Sequence, residues 1–248
     1  MCLIVFAWRP DHPQPLLLAA NRDEFYARPS WPLREWEDAP GLFAGRDLQA
    51  GGTWLGMSAD GRFAALTNIR DPSQEPGQRS RGELPVAFLR GRATPQAYLA
   101  QIAARAGDYG GFNLLLGDAR QLWYYNSREN EPRPLAEGLY GLSNASLDSP
   151  WPKLQRAKAT LENCLDAPDS QRLLALLADT TQPPEHLLPD TGVGPAVERL
   201  LATAFIASAN YGTRASTALL LNADDSWELV ERSFGPQGAP LGEVALHR

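Results

Sequence analysis

The sequence predicts an α+β fold built mainly on antiparallel sheet, and three observations lead there. Short apolar and β-branched runs recur in pairs around polar turns, which is the pattern of hairpins. Stretches with helical periodicity fall in two groups between groups of strands, unlike the regular alternation of parallel βαβ units. No internal repeat or clean linker divides the 248 residues, so the reading is a single domain over 1–248.

Residues 2–8 form an apolar run with a β-branched centre and read as a buried strand. The prolines at 10, 13 and 15 mark a turn, and residues 16–20 return as a second strand running into Asn21-Arg22-Asp23-Glu24. Residues 27–52, rich in Pro, Trp, Arg and Gly, read as a long irregular loop. Two strands at 54–57 and 63–67 flank Asp60-Gly61, a strong hairpin turn. Residues 70–82 are polar and read as mobile. Thr94 and Pro95 supply an N-cap and a first helical residue, and Leu99, Ile102, Ala103 and Ala106 make the apolar stripe of the helix that follows. Strands return at 112–116, 121–125 and 139–142. Helices follow over 151–165, around Leu173 to Leu177, and from Pro195, the last with Val197, Leu200, Leu201 and Phe205 facing inward. Strands at 217–221 and 227–230 close the chain.

Composition excludes several functions. A net charge of -6 and a pI of about 5.2 argue against nucleic acid or an anionic membrane as partner. The longest apolar run is eight residues, far short of the roughly 20 a membrane span needs. Two cysteines build no disulfide framework, and the N-terminus lacks the basic region and cleavage site of a secretory signal, so a cytoplasmic setting is expected. There is no Walker loop, no HExxH, no paired CxxC and no GxSxG, and His12, His186 and His247 are scattered, so no metal site is expected. Of the 23 basic residues only Lys153 and Lys158 are lysine, which reads as genome bias.

Cys2 stands apart by position. Removal of Met1 would put a thiol and a free α-amine on one residue, a nucleophile beside a base of suitable pKa. The alternative is a small apolar residue starting a buried strand. A turn centred near residues 12–13 makes opposing residues sum to about 25, which sets Cys2 opposite Asp23 with Arg22 alongside. A cation there favours thiolate, and a carboxylate orients the ammonium. Asn68 and Asn144 follow strands and have side-chain amides able to donate to an oxyanion, although Asn is also the usual turn residue. Arg214 can meet a carboxylate, internal or on a ligand. Trp31, Trp36, Phe43 and Trp54 either line a pocket or pack as a satellite core.

Met1-Cys2-Leu3-Ile4 and Asn21-Arg22-Asp23-Glu24 resemble the NRDE family, also called the transport and Golgi organisation protein 2 family. Gly51-Gly52-Thr53-Trp54-Leu55-Gly56, Thr67-Asn68, Ser80-Arg81-Gly82, Leu142-Ser143-Asn144, Asp148-Ser149-Pro150-Trp151-Pro152-Lys153 and Tyr211-Gly212-Thr213-Arg214 carry the same likeness to about residue 214. The resemblance implies a four-layer α-β-β-α sandwich of N-terminal-nucleophile hydrolase type and kinship with cysteine amidohydrolases such as penicillin V acylase and bile salt hydrolase. It assigns the nucleophile to Cys2 and the amine-orienting carboxylate to Asp23. Asn68, Asn144 and Arg214 match later site residues by order and context. The Arg those enzymes carry three residues before the Asp falls here on Ala20.

The leading expectation is a cofactor-free cysteine amidohydrolase acting on a small amide or acyl substrate. Cys2, Asp23, Asn144 and Asn68 would be its catalytic residues, and Asn21, Arg22, Trp54 and Arg214 would contact substrate. One alternative is a non-catalytic carrier of haem or an acyl lipid, as the family's association with haem trafficking implies. Another is a protein-interaction module.

Overall fold

The computed structural model describes residues 2–74 and 77–248. Met1 and two residues of the polar 70–82 segment, Glu75 and Pro76, lie outside the described residues. The elements in order are β1 (Cys2–Trp8), β2 (Leu16–Phe25), β3 (Ser30–Trp36), β4 (Ala39–Asp47), β5 (Leu55–Ser58), β6 (Phe63–Asn68), α1 (Glu83–Arg90), α2 (Pro95–Ala103), β7 (Phe112–Gly117), β8 (Leu122–Asn126), β9 (Arg133–Pro134), β10 (Gly138–Leu142), α3 (Pro152–Glu162), α4 (Ser170–Leu176), α5 (Pro195–Leu200), β11 (Tyr211–Leu221), β12 (Trp227–Phe234) and β13 (Pro240–His247).

Two antiparallel sheets carry the fold, one ordered β10-β1-β2-β11-β12-β13 and the other running β3 to β9 in sequence order. Three apolar cores separate four layers. Ile4, Phe6, Trp8, Leu18, Leu115 and Trp227 fill the space between the sheets. Leu3, Val5, Ala7 and Leu17 leave the other face of the first sheet and meet Leu154 and Leu161 of α3 and Leu173 of α4. Leu66, Leu114 and Leu116 meet Phe88 of α1 and Leu99 of α2 behind the second sheet. Burial on both faces is why β1 is apolar without alternation. The architecture is thus a four-layer α-β-β-α sandwich, as the resemblance implies.

Several expectations are corrected. Residues 27–52 are not an irregular loop, because they hold β3 and β4. Pro32 hid β3, and the position is tolerated because β3 is an edge strand with register shifts against β4. The largely exposed edge strand β13 lacks an apolar run for the same reason. Helix α1 lacks a side-chain N-cap, the usual signal of a helix start. In α5, Val197 and Leu200 are exposed rather than inward-facing. That short helix is held instead by Glu198, whose carboxylate takes a 2.5 Å hydrogen bond from buried Arg70. Trp36 is buried and hydrogen-bonded to the Ala44 carbonyl, whereas Trp31 is exposed. Among the described residues no helix is long and apolar enough to cross a membrane.

The opening hairpin differs by one residue. Trp8 pairs with Leu16 and Cys2 with Arg22, so the connection is centred on residue 12 and paired residues sum to 24. A slip of one residue reverses the face of every side chain. Arg22 therefore shares the inter-sheet face with Cys2, while Asp23 belongs to the face covered by helices.

Candidate active site

Cys2 begins β1 at one edge of the inter-sheet core and borders a cavity of about 860 Å³. Its main chain is held from β10's continuation. The Cys2 N–H donates to Asn144 Oδ1 at 3.3 Å, and Ser143 Oγ donates to the Cys2 carbonyl at 2.7 Å. Asn144 Nδ2 in turn donates to the Asn68 carbonyl at 2.7 Å, and the Arg70 N–H donates to the Asn144 carbonyl at 2.7 Å. The ends of β1, β6 and β10 are thereby tied together around one nitrogen. The Asn68 side chain borders the cavity and makes no hydrogen bond among the described residues.

Asp23 is buried opposite Thr213 of β11, whose Oγ1 donates to Asp23 Oδ1 at 2.7 Å. Burial pushes the Asp23 carboxyl above its ordinary range, against the nearby Lys153 ammonium. Burial likewise pushes the Cys2 thiol up, helped by the charge of Asp23 and opposed by Arg22. Lys153, at the start of α3, is 2% exposed and donates to the Leu201 carbonyl at 2.9 Å. Burial lowers it to about 8 against the raising effect of Asp23. Behind the thiol lies a buried charged layer of Asp23, Lys153, Arg70 and Glu198.

The remaining expected residues separate. Asn21 has no place at the cavity: its Nδ2 donates to the Leu177 and Ala204 carbonyls at 2.9 and 2.8 Å, and its Oδ1 accepts from Ser216 Oγ at 2.6 Å. It fastens the helical layer to the sheet, which its place on β2's helix-covered face dictates. Arg214 borders the cavity, but a bulge between Thr213 and Ala215 re-aims it. Its guanidinium donates to the Phe25 and Arg28 carbonyls at 3.0 and 2.9 Å and to Ser30 Oγ at 3.1 Å, holding the β2–β3 turn. Trp54 and Arg22 both border the cavity.

Sequence reasoning passed over Ser143, Lys153, Thr213, Arg81 and Glu231. The first four lie inside motif blocks already noted, but only as parts of a pattern. Arg81 comes from the polar 70–82 segment and reaches the cavity because two glycines let two backbones touch. A Cβ on Gly52 would lie 2.4 Å from the Gly82 carbonyl carbon, and the Thr53 N–H donates to the Gly82 carbonyl at 3.1 Å. Glu231 of β12 is buried, borders the cavity and accepts the Leu33 N–H at 2.8 Å, joining the two sheets. Burial pushes its carboxyl up to about 7. Among the described residues no group of three or more His, Cys, Asp and Glu is placed to hold a metal.

A family model described as transport and Golgi organisation 2 matches residues 1–236. The chain belongs to the transport and Golgi organisation 2 family. Similar relatives include the transport and Golgi organization protein 2 homolog of Bos taurus, 37% identical with 100% of this chain and 98% of that protein covered. The Mus musculus homolog is 36% identical over 94% of this chain and 93% of its own length. Among solved structures, a mutant conjugated bile acid hydrolase from Clostridium perfringens aligns with a TM-score of 0.59 at 8% identity, covering 99% of this chain and 92% of that one. The Caenorhabditis elegans ortholog of N-acylethanolamine-hydrolyzing acid amidase aligns at 0.52, also with 8% identity, over 90% and 93% of the two chains. At such identity these two likenesses speak for the fold, which the family member here shares with N-terminal-nucleophile hydrolases.

Proposed function

We propose that the protein is a cysteine amidohydrolase acting on a small amide or acyl substrate, with Cys2 as its first residue after loss of Met1. The observation that carries the reading is a nitrogen fixed by Asn144 Oδ1 on the same residue whose thiol borders the cavity. The thiol is raised by burial and needs a base, and a free α-amine of ordinary pKa near 7.7–8.0 is well matched to the task. The amine takes the thiol proton as sulfur bonds to the substrate carbonyl carbon. The oxyanion that forms is met by the free side-chain amide of Asn68. Asn144 holds the nitrogen rather than the oxyanion, since its Oδ1 faces Cys2 and its Nδ2 is already bonded. The C–N bond then breaks, the leaving amine takes the proton from the α-ammonium, and water hydrolyses the thioester to a carboxylic acid and free thiol. Asp23 favours the ammonium during transfer.

The test joins intact-mass measurement to a broad amide and acyl-ester screen. The expected result is a chain beginning at Cys2, with turnover abolished by Cys2→Ser and an acyl adduct confined to Cys2. Retained Met1 and no Cys2-dependent turnover, alongside stoichiometric haem or lipid binding, would replace the reading with that of a carrier.

A further inference from the structure

Six arginines border the cavity, and their partners divide them. Arg28 donates to Asp47 at 2.7 Å, Arg46 to Asp38 at 2.7 and 2.9 Å, and Arg79 to Glu83 at 2.7 Å. Arg214 is taken up by the β2–β3 turn. Arg22 and Arg81 are different. The Arg22 guanidinium makes no hydrogen bond among the described residues, and its nearest carboxylate oxygens, on Glu24 and Asp47, stand at 3.8 and 3.9 Å, beyond hydrogen-bond reach. Yet its side chain is only 13% exposed. Arg81 gives one N–H to the Gly111 carbonyl at 3.0 Å and meets no carboxylate among the described residues. Burial disfavours its charge, and the group that offsets this most is Cys2 when its thiol ionises.

The other acids around the cavity do not cancel these two cations. Asp71 is bonded to Ser73 and Arg128, and Glu243 to Arg232. Asp23 accepts from Thr213 and faces the buried Lys153, and Glu231 is held toward the neutral form by burial. Two guanidinium groups with donors to spare therefore line the cavity that Cys2 borders, one of them on the register partner of Cys2. Burying such donors without an acceptor is unfavourable, and a planar carboxylate accepts from a guanidinium fork in two parallel bonds.

We propose that Arg22 and Arg81 form an anion subsite beside Cys2 that binds a carboxylate carried by the substrate within a few bonds of the carbonyl under attack. That the carboxylate belongs to a substrate rests on the amidohydrolase reading; the anion subsite does not. The carboxylate can sit on the amine side of the amide, as in an N-acyl amino acid, or on the acyl side, as in a dicarboxylic acid monoamide.

Two matched pairs of probes separate these sources. N-octanoylglycine is compared with N-octanoylglycinamide, and N-octylglutaramic acid with N-octylglutaramide, by calorimetric titration into the mature Cys2→Ala variant, which cannot turn them over. The charged member of at least one pair is expected to bind at least about tenfold tighter, as charge-assisted bonds to two guanidinium groups require. That advantage is expected to disappear in Arg81→Gln and to survive in part in Arg81→Lys, which keeps the charge without the fork. Arg22→Gln gives a second, independent loss if Arg81→Gln does not fold. An advantage below about tenfold in both pairs, or one that persists after both Gln substitutions, overturns the subsite. Turnover of the same four amides by protein with Cys2 intact keeps the two readings distinct. Charge preference without turnover removes only hydrolysis, and turnover without charge preference removes only the subsite.

Discussion

Asn21 and Asp23 leave one face of β2, Arg22 and Glu24 leave the other, and the fold treats the two pairs in opposite ways. On the helix-covered face both side chains are buried and bonded to named partners: Asn21 to Leu177, Ala204 and Ser216, and Asp23 to Thr213. On the cavity face Arg22 and Glu24 pair only loosely, at 3.8 Å, and border open space beside Cys2. Four consecutive polar residues thus read as one motif in sequence but act as two sets, divided by the two-residue period of a strand. The face under the helices anchors β2 beside the Cys2 end of β1, and the face between the sheets is left with donors to offer.

The largest effect expected from breaking this division is in Asp23→Asn. The substitution keeps the shape and an acceptor for Thr213 but removes the charge that favours protonation of the Cys2 amine. Turnover is expected to fall by about 10²–10⁴-fold, the range of a positioned acid–base element. Steady-state kinetics on any amide found in the screen measures it. Unchanged turnover would confine Asp23 to a structural role with Lys153.

Asn21→Ala comes next. It leaves the buried Leu177 and Ala204 carbonyls and the Ser216 hydroxyl without their partner, at a cost of about 1–3 kcal/mol for each group left unsatisfied. A loss of about 3 kcal/mol or more in urea unfolding is expected, with the alkylation rate of Cys2 little changed in the fraction still folded. A loss below about 1 kcal/mol would show that the helical layer does not depend on this clamp.

The same parity explains what the sequence did and did not disclose. The layer order came only with the family resemblance, whereas the two ends of the site were legible in the residues, because β1 and β2 announce themselves as apolar strands and Cys2, Asp23, Asn68 and Asn144 sit at or just past strand ends. Facing direction was not legible: a turn centre half a residue off moved Cys2 from opposite Asp23 to opposite Arg22, and with it the face of each side chain. Arg214 could not be placed either, because its aim depends on a bulge that no local pattern marks. Arg81 was hidden in a segment whose composition reads as polar and mobile, and the contact of Gly52 with Gly82 brings it inward. Lys153 did leave a trace, as one of two lysines in a chain that otherwise uses Arg. Its buried site, lowering it to about 8, is one where an ammonium can release its proton and a guanidinium cannot.

A third, smaller effect sharpens the cavity face. Glu231 is raised by burial from an ordinary 4.5 to about 7. The folded protein then holds this proton more tightly than the unfolded chain. The stability it lends is complete below about pH 4.5 and is lost as pH rises through about 7. Glu231→Gln keeps an oxygen for the Leu33 N–H and removes the titration. Between pH 4.5 and 7 the variant's stability, compared with wild type, is expected to rise by about 1–3 kcal/mol, read from unfolding curves at several pH values. Parallel wild-type and variant profiles would place the titration elsewhere.

The smallest expected change in stability belongs to Arg22→Gln, and it gives the closest contrast with Asn21, its immediate neighbour. Arg22 has two carboxylates near it, neither within hydrogen-bond distance, and such loose pairs contribute about 0–1 kcal/mol. Its register partner is Cys2, and its charge lowers the thiol against the larger upward push of burial. Replacing it should therefore leave the unfolding midpoint nearly unchanged while moving the thiol further up, so that iodoacetamide labels Cys2 several-fold more slowly at pH 8. Labelling of Cys164, buried behind the other face of the sheet, supplies the internal reference. A variant that unfolds as easily as Asn21→Ala would mean that the cavity face of β2 supports the fold no less than its opposite face does. A variant that labels at the wild-type rate would mean that the guanidinium opposite Cys2 does not act on the thiol.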